Sequence, residues 1–77
     1  MTFIEHLRLL QRMDGLIHLK RTGTADALAE LLGISRRSIF NYFEDLRVLG
    51  ADIDFCSDRK SYIYVGDSRP QLPTMVL

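Results

Sequence analysis

Two adjacent arginines, Arg36 and Arg37, with Ser38 and Asn41 just behind them, are the side chains in this sequence best suited to act on a polyanion. An arginine neutralises a phosphate or forks onto a guanine edge. An asparagine makes the matching bidentate contact to adenine, and a serine serves either. Ser35 immediately before them has the chemistry of a helix N-cap, so the two arginines fall in the first turn of a helix. That placement breaks a local rule. The first turn carries unpaired N–H groups and partial positive charge, and each exposed cation there costs roughly a few tenths of a kcal/mol. A rule broken without local compensation points to function. An anion arriving from outside would supply the compensation, and the phosphate backbone of DNA is the first candidate.

The helix that must carry these groups places Ile39, Phe43 and Leu46 at i, i+4 and i+7, one buried stripe. With Ile39 at the centre of that stripe, 100° per residue puts Arg37, Asn41 and Glu44 on the opposite side. Arg36, Ser38, Phe40, Tyr42 and Asp45 fall on the flanks. Recognition helices use their N-terminal residues for base edges, which selects Arg37, Ser38 and Asn41 for bases and Arg36 for phosphate. Tyr42 has two readings, a DNA contact or a partly buried packing residue. Glu44 and Asp45 come where such a helix leaves the groove, and their charge limits how deep it lies.

The rest of the chain supplies two more helices and a hairpin. Thr2 and Glu5 form a capping box, and Phe3, Leu7, Leu10, Asp14 and Ile17 follow at helical spacing, predicting a helix to about residue 20. Thr22-Gly23 is its expected stop, with Lys20 and Arg21 in the favoured last turn. A second stripe on this helix, Leu9, Met13 and Leu16, has two readings: a broad face buried against the other helices, or a dimer seam. Thr24 caps a second helix with Leu28, Leu31 and Leu32 as its apolar face, and Gly33 stops it. Gly50 closes the third helix in the same way. After it the period changes to two, with strands at Ile53-Asp54-Phe55-Cys56 and Tyr62-Ile63-Tyr64-Val65. The turn between them holds Arg59 and Lys60, either solvated or reaching DNA backbone. Lys20 and Arg21 carry the same alternative of helix-end or DNA contact. Residues 67–77, with Pro70 and Pro73, read as an extended tail whose apolar end, Met75-Val76-Leu77, could dock.

Composition sets the frame. Seventy-seven residues make one small domain with a thin core, burying only about 60% of the unfolded surface. At 47% apolar the chain is a packed globule rather than a disordered segment. Ten basic and ten acidic residues cancel, so charge distribution and not net charge must favour DNA. Cys56 is the single cysteine and reads as a small strand residue; no internal disulfide can form, and a reducing compartment fits. Glu5 and Arg8 stand where a signal peptide would need other residues, and no apolar run approaches the ~20 residues that span a bilayer. A cytoplasmic protein is expected.

Two helices joined by a tight glycine turn are a helix-turn-helix, and a hairpin after the second is the wing of a winged helix. The expected fold is therefore mainly α with a small β-hairpin, a winged helix-turn-helix over residues 1–66 followed by the tail 67–77. The segment Ala27-Leu28-Ala29-Glu30-Leu31-Leu32-Gly33-Ile34-Ser35-Arg36-Arg37-Ser38-Ile39 resembles the winged helix-turn-helix domains that open deoxyribonucleoside-repressor-type and biotin-repressor-type regulators. Phe40-Asn41-Tyr42-Phe43, Leu46 and Gly50 continue the likeness, which spans roughly residues 5 to 65. It implies double-stranded DNA binding through the helix that begins at Ser35, and transcriptional regulation. Asn41-Tyr42 departs from the family's usual Arg-Asp, and Lys60-Ser61 from its frequent glycine pair. The family usually continues into a ligand-sensing domain, which these 77 residues do not contain.

The expected site is thus Arg36, Arg37, Ser38, Asn41 and Tyr42, with Arg59 and Lys60 on the wing, and the expected partners are DNA and a second copy through Leu9, Met13 and Leu16. No cofactor, metal, small-molecule effector or membrane contact is expected, nor an enzyme. His6 and His18 lie about 18 Å apart on one helix, too far to share an ion, and no nucleophile or phosphate-loop motif appears. The alternative is a winged helix docking to protein in a larger regulatory or mobile-element complex, motivated by the zero net charge and by Glu44-Asp45.

Overall fold

The computed structural model describes residues 2–72. Three helices, α1 (Phe3–His18), α2 (Ala25–Leu32) and α3 (Arg36–Val48), precede a hairpin of β1 (Ile53–Cys56) and β2 (Ser61–Tyr64). This is the mainly helical winged helix-turn-helix architecture that the sequence pattern predicts.

Each helix begins on a hydroxyl cap. Thr2 and Glu5 close the capping box of α1, Thr24 accepts from the Ala27 N–H, and Ser35 accepts from the Ser38 N–H. Each helix ends in a paired wrap of backbone N–H groups onto earlier carbonyls, centred on a residue of positive φ. At α2 that residue is Gly33, at φ 70°. At α1 the position is filled by Lys20, at φ 59°, so the helix closes two residues before the expected Thr22-Gly23 stop.

The core is made by Leu10, Met13 and Ile17 of α1, Leu28 of α2, and Ile39, Phe43 and Leu46 of α3, closed by Ile53 of β1. Met13 is fully buried within its own chain, with Leu9 and Leu16 packed half-buried beside it. The second stripe of α1 is therefore largely taken up by the internal core, and the dimer seam expected there loses its central residue. The physical reason is geometric: α1 is covered both by the other helices and by β2, so it buries a broad face. Phe3, in the first turn of α1, does not join the stripe and is 74% exposed. On α2 the buried row is Ala25, Leu28 and Ala29 with Leu32 beside them, and Leu31 points outward.

Two strands alone are marginal in water, so the hairpin needs anchors. Its register pairs Ile53 with Tyr64, Phe55 with Tyr62 and Cys56 with Ser61. The first anchor is a buried hydroxyl pair. The Thr22 N–H donates to Ser61 Oγ (3.1 Å), the two hydroxyls lie 3.0 Å apart, and the Tyr62 N–H donates to Thr22 Oγ1 (2.8 Å). The second is the Tyr62 ring against Phe43, with centroids 4.6 Å apart. The third is Asp14, which accepts from the Tyr64 hydroxyl (2.6 Å) and from Arg69 (2.8 Å). Asp14 thus serves the wing and not the apolar stripe. β2 begins one residue earlier than the pattern suggested because Ser61 is held at 0% exposure by Thr22.

After the wing the chain turns back. The Gln71 N–H donates to the Leu49 carbonyl (2.8 Å), and Leu72 packs on the core. The apolar Met75-Val76-Leu77 end lies outside the described residues. No helix among the described residues is long and apolar enough to cross a membrane.

Two outcomes follow. Thr22→Val strips the buried hydroxyl network and should cost about 1–3 kcal/mol. Thermal unfolding followed by circular dichroism should fall about 4–8 °C per kcal/mol lost. Burial, then the hydrogen bond to Asp14, pushes the Tyr64 phenol well above its ordinary range. The folded state therefore holds that proton more tightly than the unfolded chain does. Its contribution is complete below the unfolded tyrosine value near ~10 and is lost as pH rises beyond it. Tyr64→Phe should flatten the alkaline fall in stability measured by urea titration.

Candidate nucleic-acid interface

The helix-turn-helix corner decides what α3 presents. Gly33 reverses the chain, the Ile34 N–H returns to the Ala29 carbonyl (3.1 Å), and Ser35 starts α3 at once. With Ile39, Phe43 and Leu46 at 1% exposure or less, the rotation of α3 about its axis is fixed. Arg37, Asn41 and Glu44 then face solvent on the far side.

Arg37 and Asn41 are exposed and have no ion pair or side-chain hydrogen bond among the described residues. Ser38 is half-buried at the cap. Its oxygen accepts from the Ser35 hydroxyl (2.9 Å), leaving its own O–H to donate elsewhere. These three residues form an open polar strip along the first turn and a half of α3.

Arg36 is different. Its Nε lies 3.3 Å from Asp26 Oδ1, and its guanidinium sits 5.2 Å over the Phe40 ring. The compensating anion that the sequence appeared to lack is present, contributed by the first turn of α2, where an acid is favoured. Both partners remain largely exposed, so the pair is weak and easily exchanged. Asp26 also suits the dipole of its own helix, and no local signal in the sequence links residue 26 to residue 36 across the turn.

Tyr42 is drawn inward. It is 7% exposed, and its ring stacks on His6 at 4.8 Å between centroids. Of its two sequence readings the packing one describes where it sits, since the neighbouring α1 covers that flank. The same histidine lies 3.1 Å from Asp45, while Glu44 pairs with Arg47 at 2.7 Å. Both acids behind the polar strip are therefore engaged by side chains of the fold, which reduces the repulsion they would offer a phosphate.

The wing stands next to Arg36 at the start of α3. A cleft of about 220 Å³ between Asp26, Arg36, Phe55 and Tyr62 joins the starts of α2 and α3 to both strands. Arg59 and Lys60 are exposed on the turn, with Lys60 at φ 51°. Next to them Ser61 is bound to Thr22, so the tip is held beside the α1–α2 connection that carries Lys20 and Arg21. Among the described residues no group of His, Cys, Asp and Glu could hold a metal ion.

A helix-turn-helix (HTH) domain family model matches residues 7–60, from the first buried turn of α1 to the tip of the wing. No curated protein and no solved structure gave a significant match.

Since Ser35 alone caps α3, Ser35→Ala should cost about 1 kcal/mol. A shift of the urea midpoint with an unchanged slope would register it, together with faster amide exchange at Ser38.

Proposed function

From its membership of the HTH domain family, to which this chain belongs, we propose that the protein binds double-stranded DNA sequence-specifically as a transcriptional regulator. The observation that carries the proposal is the open strip of Arg37, Ser38 and Asn41 at the N-terminal end of α3, set directly after the tight turn. In the reading proposed, that end enters the major groove. Arg37 forks onto guanine, Asn41 onto adenine, and Ser38 donates to either. Arg36 neutralises phosphate, and Arg59 and Lys60 contact backbone from the wing. The likeness to repressor-type winged helices supports regulation as the purpose of binding. Pairing through α1 has less to offer than the sequence suggested, with Met13 consumed by the core, so the reading starts from one module per half-site.

The second reading is a protein-docking winged helix. It is favoured by the intramolecular partner of Arg36 and by the zero net charge, both of which lower the pull toward a polyanion.

Labelled mixed-sequence duplex, titrated with the protein and followed by fluorescence anisotropy at several salt concentrations, separates the two. DNA binding should weaken linearly in log–log form, with a slope of about −0.9 for each phosphate neutralised. Arg37→Ala should weaken selected-site binding by about 1–3 kcal/mol, roughly 5- to 160-fold. Absence of binding at low salt would favour the protein-docking reading.

A further inference from the structure

We propose that Asp26 is an intramolecular stand-in for phosphate, holding Arg36 in the free protein and setting a ceiling on its affinity for nucleic-acid backbone. The inference rests on the DNA-binding reading and adds to it a residue outside the recognition helix.

The geometry of the pair suits exchange and not structural anchoring. Asp26 and Arg36 occupy the first turns of α2 and α3. The partial positive charge of one helix end favours the acid, and that of the other disfavours the base. The arginine is therefore drawn toward the carboxylate and away from its own helix end. At 3.3 Å through Nε, with side chains 64% and 82% exposed, the contact is solvated and readily exchanged. Beneath the guanidinium the Phe40 ring, itself 40% exposed, gives it a flat support that does not depend on Asp26. If a phosphate replaces the carboxylate, Arg36 keeps that support and changes only its anion. The cleft beside it, walled by Phe55 and Tyr62 of the wing, is open to a backbone following the starts of α2 and α3.

The consequence is a penalty on every backbone contact made there. A phosphate must displace Asp26 from Arg36 and approach a carboxylate that it repels. Backbone affinity is reduced for all sequences alike, so base contacts by Arg37, Ser38 and Asn41 become a larger share of the total. The affinity of the domain for random DNA is lowered by the same modest factor.

The test compares wild type, Asp26→Asn, Arg36→Ala and the double variant on mixed-sequence duplex at several salt concentrations. Glu30→Gln, an exposed change of equal charge on the same helix, is the control. Asp26→Asn should tighten binding about 1.5- to 5-fold, the fold-change expected for an exposed ion pair. It should also steepen the salt dependence, and do so more than Glu30→Gln. In the Arg36→Ala background the Asp26→Asn effect should shrink to that of the control. An Asp26→Asn effect equal to Glu30→Gln, or undiminished without Arg36, would overturn the proposal and leave DNA binding intact. Weaker binding by Asp26→Asn would overturn it too, making Asp26 an orienting partner of Arg36. No DNA binding by any variant would overturn the underlying reading, and this inference with it.

Discussion

The burial of one face of α3 is the constraint from which the rest of this molecule follows. Ile39, Phe43 and Leu46 are among the most deeply buried residues of a small core. Their burial fixes the rotation of the helix, and the opposite face follows by 100° steps. Arg37 and Asn41 face solvent for that reason. Phe43 also receives Tyr62, so the same inner face that orients the polar strip seats the wing. Polar strip and wing are thus two outputs of one packing decision.

The wing depends on polar anchors as much as on apolar ones. A two-stranded sheet offers little area to bury, and Phe55 remains 40% exposed on it. Thr22 and Ser61, buried together, fix one end, and Asp14 fixes the other through Tyr64. Such networks hold register well because a slip would leave each buried hydroxyl without a partner. Among the described residues no buried side-chain polar atom lacks one. The result is a tip whose cations sit at a defined place beside the helices.

Electrostatics is managed locally within a neutral chain. Asp26 meets Arg36, Glu44 meets Arg47, and Asp45 meets His6. What remains unengaged on α3 is the end with Arg37 and Asn41. Net charge therefore conceals a usable asymmetry: acids near the middle of the helix are occupied, and the basic start is partly open.

Local chemistry was enough to reveal the order of elements. Thr2, Thr24 and Ser35 name the helix starts, Gly33 and Gly50 two of the stops, and the change of period after Gly50 the hairpin, because caps, left-handed glycines and alternation act within a few residues. The polar face of α3 was legible for the same reason. The end of α1 was not, since a lysine fills the left-handed position that glycine usually marks. Tyr42 looked like a flank residue until α1 covered it, and Met13 looked available until the core claimed it. The partner of Arg36 was invisible as well, because Asp26 reaches it only once the turn has folded α2 onto α3. Contacts that cross between elements depend on rotation and crossing of helices. Those are settled by how the whole core packs, and no short stretch of sequence carries that information.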